Sequence, residues 1–228
     1  MEHAVAVVIP ALDEEASIAG VVESVLREVE GATVFVVDNR SRDQTKARAT
    51  EAGAVVIAQP RRGYGWACRA GCDAAARTDA DVIVFLDGDG SMPAESIPVL
   101  VGPIVAGAAD VVCGARSGRH APMPWHQRLG NRVIALQLRV LYGVRLRELG
   151  PFRAVRASTL AALALPGSRY SWPAQLLARA ARQGARVAEV AVGYRDRTGG
   201  RSKVSGSLKG SLLAAWDISR TLLAERVR

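Results

Sequence analysis

The sequence of 228 residues is poor in cysteine, and the three cysteines do not form a motif. Cys68, Cys72 and Cys113 are odd in number and include no CxxC pair, which argues against a zinc or redox motif. Cys68 and Cys72 share one helical face, so a shared metal ion is conceivable. Packing of reduced thiols in the core is the favoured interpretation.

Long apolar runs are also absent from the sequence. No uninterrupted run reaches the roughly 18 residues of a membrane span, and no basic segment followed by an apolar stretch opens the chain. We therefore expect a cytoplasmic location. No internal repeat or clear linker divides the chain, and its length and 49% hydrophobic content fit a single domain.

The charge balance is strongly basic, with a formal net charge of +8 and a sequence pI near 10.1. Such a chain attracts an anionic partner, whether nucleic acid, an acidic membrane surface or a phosphorylated substrate. The basic residues are dispersed over the second half of the chain. This distribution favours a phosphorylated substrate or a membrane over nucleic acid.

The hydrophobic pattern predicts an α/β domain with a mainly parallel sheet between helices. Continuously apolar segments predict buried strands, and they alternate with segments of helical spacing along the first half of the chain. Strands are predicted at 4–10, 33–38, 55–58, 82–87, 110–116 and 186–192. Helices are predicted at 18–29, 43–52, 65–77, 125–142, 157–164 and 172–183, with a further amphipathic helix from Leu208 to Leu223.

Acidic residues follow three of the predicted strands directly. Asp13 and Glu14 follow the first strand, Asp38 ends the second, and Asp87 and Asp89 follow the fourth in the segment DGDG. Ligands of parallel sheets bind beyond the carboxyl ends of the strands, so these acids should share one edge. An isolated DxD is more often a solvated turn, but its place after this strand favours a divalent cation shared with diphosphate oxygens. Asp38 could bind a base or ribose, or only cap a turn.

Two features of the second half are basic or amphipathic. The segment from Arg195 to Lys209 combines cations with glycine and serine, and it indicates either a lid over phosphates or a solvated loop. The helix that follows could rest on an anionic bilayer, although packing on its own domain is favoured. The chain has neither a Walker A motif nor a full dinucleotide fingerprint, which counts against an NTPase or a dehydrogenase.

Eight blocks, taken together and in order, resemble the family 2 inverting glycosyltransferases with the GT-A fold. The resemblance covers nearly the whole chain and is greatest to the dolichyl- or polyprenyl-phosphate sugar synthases. The blocks are VVIPALDEE, VVDNRSRDQT, RRGYGWACRAG, VIVFLDGDGSMPAESIPVL, DVVCGAR, QRLGNR, LGPFRAVR and GGRSKVSG. The resemblance implies one GT-A domain, with a nucleotide-sugar and metal half at 1–116 and an acceptor half at 117–228.

The resemblance also implies roles for individual residues. Magnesium or manganese would bind Asp87 and Asp89, the latter at the reacting centre. The residues implied to border the nucleotide or its phosphates are Pro10, Asp13, Glu14, Asp38, Arg201 and Lys203. The residues implied on the acceptor side are Arg116, Arg128 and Asn131, and Glu148 is the candidate general base.

Three positions depart from the pattern of this family. Asp13 stands where asparagine is common, Glu148 where aspartate is expected, and Gln175 where relatives often have glutamate. If that carboxylate orients the acceptor in relatives, Gln175 implies a different acceptor or reduced activity.

The sequence leaves three functional hypotheses. The first is transfer of a hexose from a UDP- or GDP-sugar to a polyprenyl phosphate at the inner membrane face. The second keeps this donor but uses a soluble hydroxyl acceptor. The third is a non-catalytic protein that binds nucleotides or nucleic acid.

Overall fold

The computed structural model describes residues 3–117, 125–199 and 208–227. Within them, seven strands form one sheet in the order β3-β2-β1-β4-β6-β5-β7. The strands are β1 (Val5–Ala11), β2 (Thr33–Asp38), β3 (Val55–Ala58), β4 (Val82–Phe85), β5 (Val111–Arg116), β6 (Arg153–Arg156) and β7 (Val187–Val192). All pairs are parallel except those that β6 makes with β4 and β5. The predicted α/β class with a mainly parallel sheet is therefore confirmed.

Helices cover both faces of this sheet. They are α1 (Ile18–Glu28), α2 (Thr45–Glu51), α3 (Tyr64–Ala75), α4 (Ile97–Val105), α5 (Trp125–Tyr142), α6 (Ala157–Ala162), α7 (Trp172–Arg182) and α8 (Leu208–Val227). Alternate residues of a strand point to opposite faces, and β1 sends Val8 into one apolar core and Val7 into the other. Burial on both faces explains why the strands are continuously apolar.

Strand β6 and helix α4 were not predicted. The strand has only four residues and contains Arg153 and Arg156, so it lacks the apolar run that marked the other strands. Arg153 is nonetheless only 1% exposed, because its guanidinium donates to backbone carbonyls that include the one of Pro173 at 3.1 Å. Because β6 runs antiparallel to β4 and β5, its N-terminal end lies at the same sheet edge as the carboxyl ends of the parallel strands.

Candidate active site

The loop after β4 lies at the centre of the carboxyl edge of the sheet. Its backbone is held by two hydrogen bonds. The Ser17 hydroxyl donates to the carbonyl of Gly88 at 2.8 Å, and the amide of Thr198 donates to the carbonyl of Asp89 at 3.1 Å. Gly90 has φ of +78°, and a Cβ atom there would lie 2.5 Å from the Thr198 hydroxyl. Glycine is therefore required at this position for both its conformation and its small size.

Asp89 is buried and paired with Arg197. Its Oδ1 atom accepts the amide of Ser91 at 2.9 Å, and its Oδ2 atom accepts the Arg197 Nε at 2.8 Å. The same guanidinium lies 3.5 Å from a carboxylate oxygen of Glu14. Arg197 thus joins the acid that follows β1 to the acid that follows β4. It was not singled out from the sequence, where it is one of several basic residues in a segment with no periodic pattern.

Asp87 lies in the same electrostatic environment. Desolvation, followed by the charge of Asp89, raises the pKa of Asp87 to about 7, while Arg197 and Arg116 act to lower it. Burial and the neighbouring carboxylate therefore both disfavour the ionised form of Asp87.

The donor set around Asp87 and Asp89 fits a hard cation that is completed by a ligand. Within the described ranges, no group of three or more histidine, cysteine or acidic side chains is arranged to hold a metal ion. Magnesium commonly binds proteins through one or two carboxylates together with substrate phosphates. Two carboxylates beside Arg197 are compatible with this type of site, and a bound diphosphate would supply further oxygens.

The loops after β1 and β2 bind each other through side chains. Asp13 has φ of +51°, a region in which asparagine and aspartate are enriched among residues other than glycine, and its Oδ1 atom accepts the amide of Arg42 at 2.8 Å. An asparagine carbonyl oxygen could accept the same bond. The amide of Glu14 donates to the Thr45 hydroxyl at 2.8 Å. Aspartate at position 13 is therefore compatible with the local backbone.

The other residues expected beside the nucleotide lie at the same edge. Pro10 is the sixth residue of β1, and Asp38 is the last residue of β2 and accepts the amide of Ser41 at 3.2 Å. The neighbouring Asn39 was missed. Its amide group donates to the carbonyls of Gln59 and Arg61, and its Oδ1 atom accepts the amide of Gly63 at 2.8 Å. Asn39 therefore fixes the loop after β3 against the end of β2.

Arg116, the last residue of β5, is paired with Glu148. Glu148 Oε1 accepts the backbone amide of Arg116 at 2.9 Å and lies 3.6 Å from its Nε. The Arg116 guanidinium is 4.1 Å from the ring centroid of Tyr194. These three side chains line a small pocket together with Met92 and Phe152. Glu148 thus orients an arginine, and its role as a base remains a prediction.

Not every expected acceptor-side residue is brought to this pocket. Arg128 is exposed on α5 and does not line the pocket, and Asn131 is half-buried on the same helix. Arg201 and Lys203 lie outside the described residues.

Gln175 contacts α8. It is 5% exposed, and its Nε2 atom donates to Glu225 Oε1 at 2.6 Å. Arg179, on the same helix as Gln175, holds both oxygens of that carboxylate at 3.1 Å. The acid of this buried cluster is thus carried by α8, so the amide at position 175 has a role in packing α7 against α8.

Two of the three cysteines lie in the core, as the sequence predicted. Cys68 and Cys113 are buried free thiols, and Cys72 is half-buried. None of the helices in the described ranges is long and apolar enough to cross a membrane.

Comparison with known proteins identifies relatives of this architecture. The chain is 40% identical to an uncharacterised glycosyltransferase of Mycobacterium tuberculosis, over 96% of this chain and 98% of the relative. It is 30% identical to an undecaprenyl-phosphate mannosyltransferase of Micrococcus luteus, over 96% and 94%. A crystal structure of glucosyl-3-phosphoglycerate synthase from Mycobacterium tuberculosis with Mn²⁺, UDP and glucosyl-3-phosphoglycerate matches with a TM-score of 0.79 at 27% identity, over 98% of this chain and 80% of that one. The model of glycosyl transferase family 2 matches residues 6–162. The chain therefore belongs to glycosyl transferase family 2 and is a GT-A glycosyltransferase.

Proposed function

We propose that the protein transfers a hexose from a UDP- or GDP-sugar to a polyprenyl phosphate, with inversion and with magnesium or manganese. The observation that carries the proposal is the contact of Arg197 with Asp89, 2.6 Å between Nη2 and Oδ2, on the loop that also carries Asp87, with Arg116 near enough for its charge to act on Asp87. Two acids for a cation and two arginines for phosphates suit a diphosphate donor and a phosphate acceptor. The reaction would take place on the cytoplasmic face of a membrane.

In this reaction an oxygen of the acceptor phosphate attacks the anomeric carbon of the sugar. The bond from that carbon to the diphosphate breaks, and the nucleoside diphosphate leaves with the electron pair. Asp87 and Asp89 would hold the cation, which neutralises the charge that develops on the diphosphate. Pro10, Asp13, Glu14 and Asp38 would border the nucleotide, and Arg201 and Lys203 would close on the phosphates.

A phosphate acceptor needs positioning by cations and does not need a base. A sugar hydroxyl is a poor nucleophile at neutral pH and benefits from a carboxylate that removes its proton. The pairing of Glu148 with Arg116 supports the phosphate acceptor, because this carboxylate is already bound to the cation that it orients. The undecaprenyl-phosphate mannosyltransferase among the relatives gives independent support.

A second candidate function is transfer to a soluble hydroxyl acceptor. It is supported by the similarity to glucosyl-3-phosphoglycerate synthase over 98% of this chain. In that case Glu148 would be the candidate base, and replacing it would abolish transfer.

The test is an assay of radiolabelled sugar transfer with manganese, across UDP-, GDP- and TDP-sugars. Undecaprenyl phosphate and 3-phosphoglycerate serve as competing acceptors, and the expected product is extractable into organic solvent and labile to mild acid. We expect Asp89→Asn to lower turnover at least 100-fold, a loss of about 2.7 kcal/mol of transition-state stabilisation, while the new amide still accepts the Ser91 bond.

Asp79→Ala, at an exposed acid on the turn after α3, is the matched control and should leave turnover unchanged. Undiminished turnover of the Asp89 variant at saturating manganese would remove the metal assignment. Absence of a lipid product together with efficient glycosylation of a soluble alcohol would overturn the proposed acceptor.

A further inference from the structure

Large apolar side chains are exposed in a group on two helices. Eight of them lie on α5 and α8, and apart from Val227 at the end of α8 each is between 43% and 72% exposed. We call the other seven the α5/α8 face; its members are Leu129, Val133, Leu136, Val140, Leu213, Trp216 and Leu223. Single exposed apolar residues are ordinary on protein surfaces, whereas several on two neighbouring helices indicate an interaction site.

The residues of α5 form one stripe along the helix. They are spaced by four, three and four positions, so each lies within a fraction of a turn of the same line. Ile134 and Leu138, which are 4% and 0% exposed, lie on the opposite side of the helix. The apolar stripe of α5 therefore points away from the core.

The stripe of α8 points in the same direction as that of α5. The Ser219 hydroxyl donates to Gln137 Oε1 at 3.0 Å, and Arg226 donates to the carbonyl of Leu141 at 2.9 Å, so the two helices lie side by side and run parallel. Trp216 and Leu223 are seven positions apart, on the side of α8 opposite the buried Ile218 and Glu225. Together the two stripes form one outward surface.

The surroundings of the α5/α8 face are basic. Helix α5 has no acidic residue, and Arg132 and Arg139 form an exposed row beside its apolar stripe. Arg220 is exposed within the stripe of α8. Of the two acids on α8, Glu225 points inward to Arg179 and Asp217 is half-buried. The exposed charge next to the apolar side chains is thus positive.

We propose that the α5/α8 face docks on an anionic lipid bilayer. Apolar side chains flanked by arginines, with a tryptophan among them, have the chemistry of helices that lie in the membrane interface. A second copy of the chain on the same face would bring two basic surfaces together, whereas acidic lipid headgroups are complementary to them. The net charge of +8 strengthens that attraction.

The position of the α5/α8 face relative to the active site agrees with this partner. Helix α5 is the next element after the strand that ends at Arg116, and α8 is the next element after the segment that carries Arg197. The inference deepens the proposed function, because docking would bring the site to the membrane that carries a polyprenyl phosphate. Its evidence, however, is independent of the acceptor.

The first test is flotation of the purified protein with vesicles of phosphatidylcholine and phosphatidylglycerol that contain no polyprenyl phosphate. We expect the wild type to float with these vesicles, and Trp216→Glu or Leu136→Glu to reduce the bound fraction at least tenfold. Val99→Glu is the matched control, since Val99 is 50% exposed on α4, outside the face. It should bind like the wild type. Absence of vesicle binding by the wild type, or equal losses in all three variants, would overturn the proposal.

The second test addresses the charge. The double variant Arg132→Gln with Arg139→Gln should bind these vesicles roughly 10- to 30-fold more weakly, and added salt should reduce wild-type binding. Arg77→Gln, at an exposed arginine remote in sequence from the face, is the control. Circular dichroism of each variant verifies folding.

Two further measurements separate the docking proposal from other outcomes. A dimer in light scattering that Trp216→Glu dissociates, without vesicle binding, would assign the face to a second copy and overturn the proposal. Vesicle binding by a protein that glycosylates only soluble alcohols would leave the docking surface in place while refuting the proposed acceptor.

Discussion

Replacing Gln175 by glutamate should destabilise the protein through its contact with α8. The amide Nε2 donates to Glu225 Oε1 at 2.6 Å in a site where the Gln175 side chain is 5% exposed. The substitution keeps the shape of the side chain but places a second carboxyl group against the first. The new group can donate to Glu225 only when it is protonated.

The magnitude follows from the cost of keeping the new carboxyl group protonated. Two charges 2.6 Å apart would repel by about 6 kcal/mol at an effective dielectric constant of about 20, so the new group binds a proton instead. Holding it protonated at pH 7 costs about 1.4 kcal/mol per unit above its ordinary pKa of about 4.3, or about 3.7 kcal/mol. Arg179 and Arg182 already face Glu225 and would reduce the repulsion. We therefore expect a loss of about 2–4 kcal/mol in the free energy of unfolding at pH 7.

The pH dependence distinguishes this cause from a packing defect. The pKa of the new group would be raised in the folded state, so the penalty is largest at high pH and disappears as pH falls below its pKa in the unfolded chain. At pH 5 the loss should be only about 1 kcal/mol. Urea unfolding followed by circular dichroism at pH 5 and pH 7 measures the difference, and Gln183→Glu, at an exposed residue after α7, is the control. Equal stability of Gln175→Glu and wild type at pH 7, or the same loss at both pH values, would refute this reasoning.

Three further predictions concern the active site. Arg197→Gln removes the cation beside Asp89, so manganese should raise the melting temperature of this variant more than that of the wild type. Arg195→Gln, at a side chain 64% exposed, is the control and should show the wild-type shift. An unchanged shift in the Arg197 variant would count against competition between its guanidinium and the metal. Glu148→Gln keeps an acceptor for the Arg116 amide and should retain lipid transfer within about threefold. A 100-fold loss of transfer would instead identify Glu148 as a general base, which is the role expected with a hydroxyl acceptor. Hydrogen exchange over residues 195–207 should slow when nucleotide sugar and manganese bind, and equal protection with and without ligand would contradict a lid.

Much of the sheet could be predicted because its signals are local. Apolar runs that end in acidic residues predict strands whose carboxyl ends share one edge, and β2 and β3 have the predicted bounds. The DGDG segment therefore lies where the alternation of strands and helices indicated. The glycine at position 90 belongs to the same local signal, since its positive φ is a property of the turn.

The partners of the site residues could not be predicted in this way. Arg197 binds Asp89 across 108 positions of the chain, and Gln175 binds Glu225 across 50. Such pairs depend on which elements the fold brings together, and neither residue belongs to a periodic pattern that would reveal its partner. The departure at position 175 is understood only once α7 and α8 are seen in contact.

The sequence alone therefore determined the fold class, the family resemblance and the edge at which the acids gather, because each depends on short segments with their own periodicity. The tertiary structure decided the antiparallel insertion of β6, the pairing of Arg197 with Asp89, and the joint outward direction of the stripes on α5 and α8. Each of these depends on the relative placement of segments that are distant in the chain, and hydrophobic periodicity within one segment carries no information about that placement.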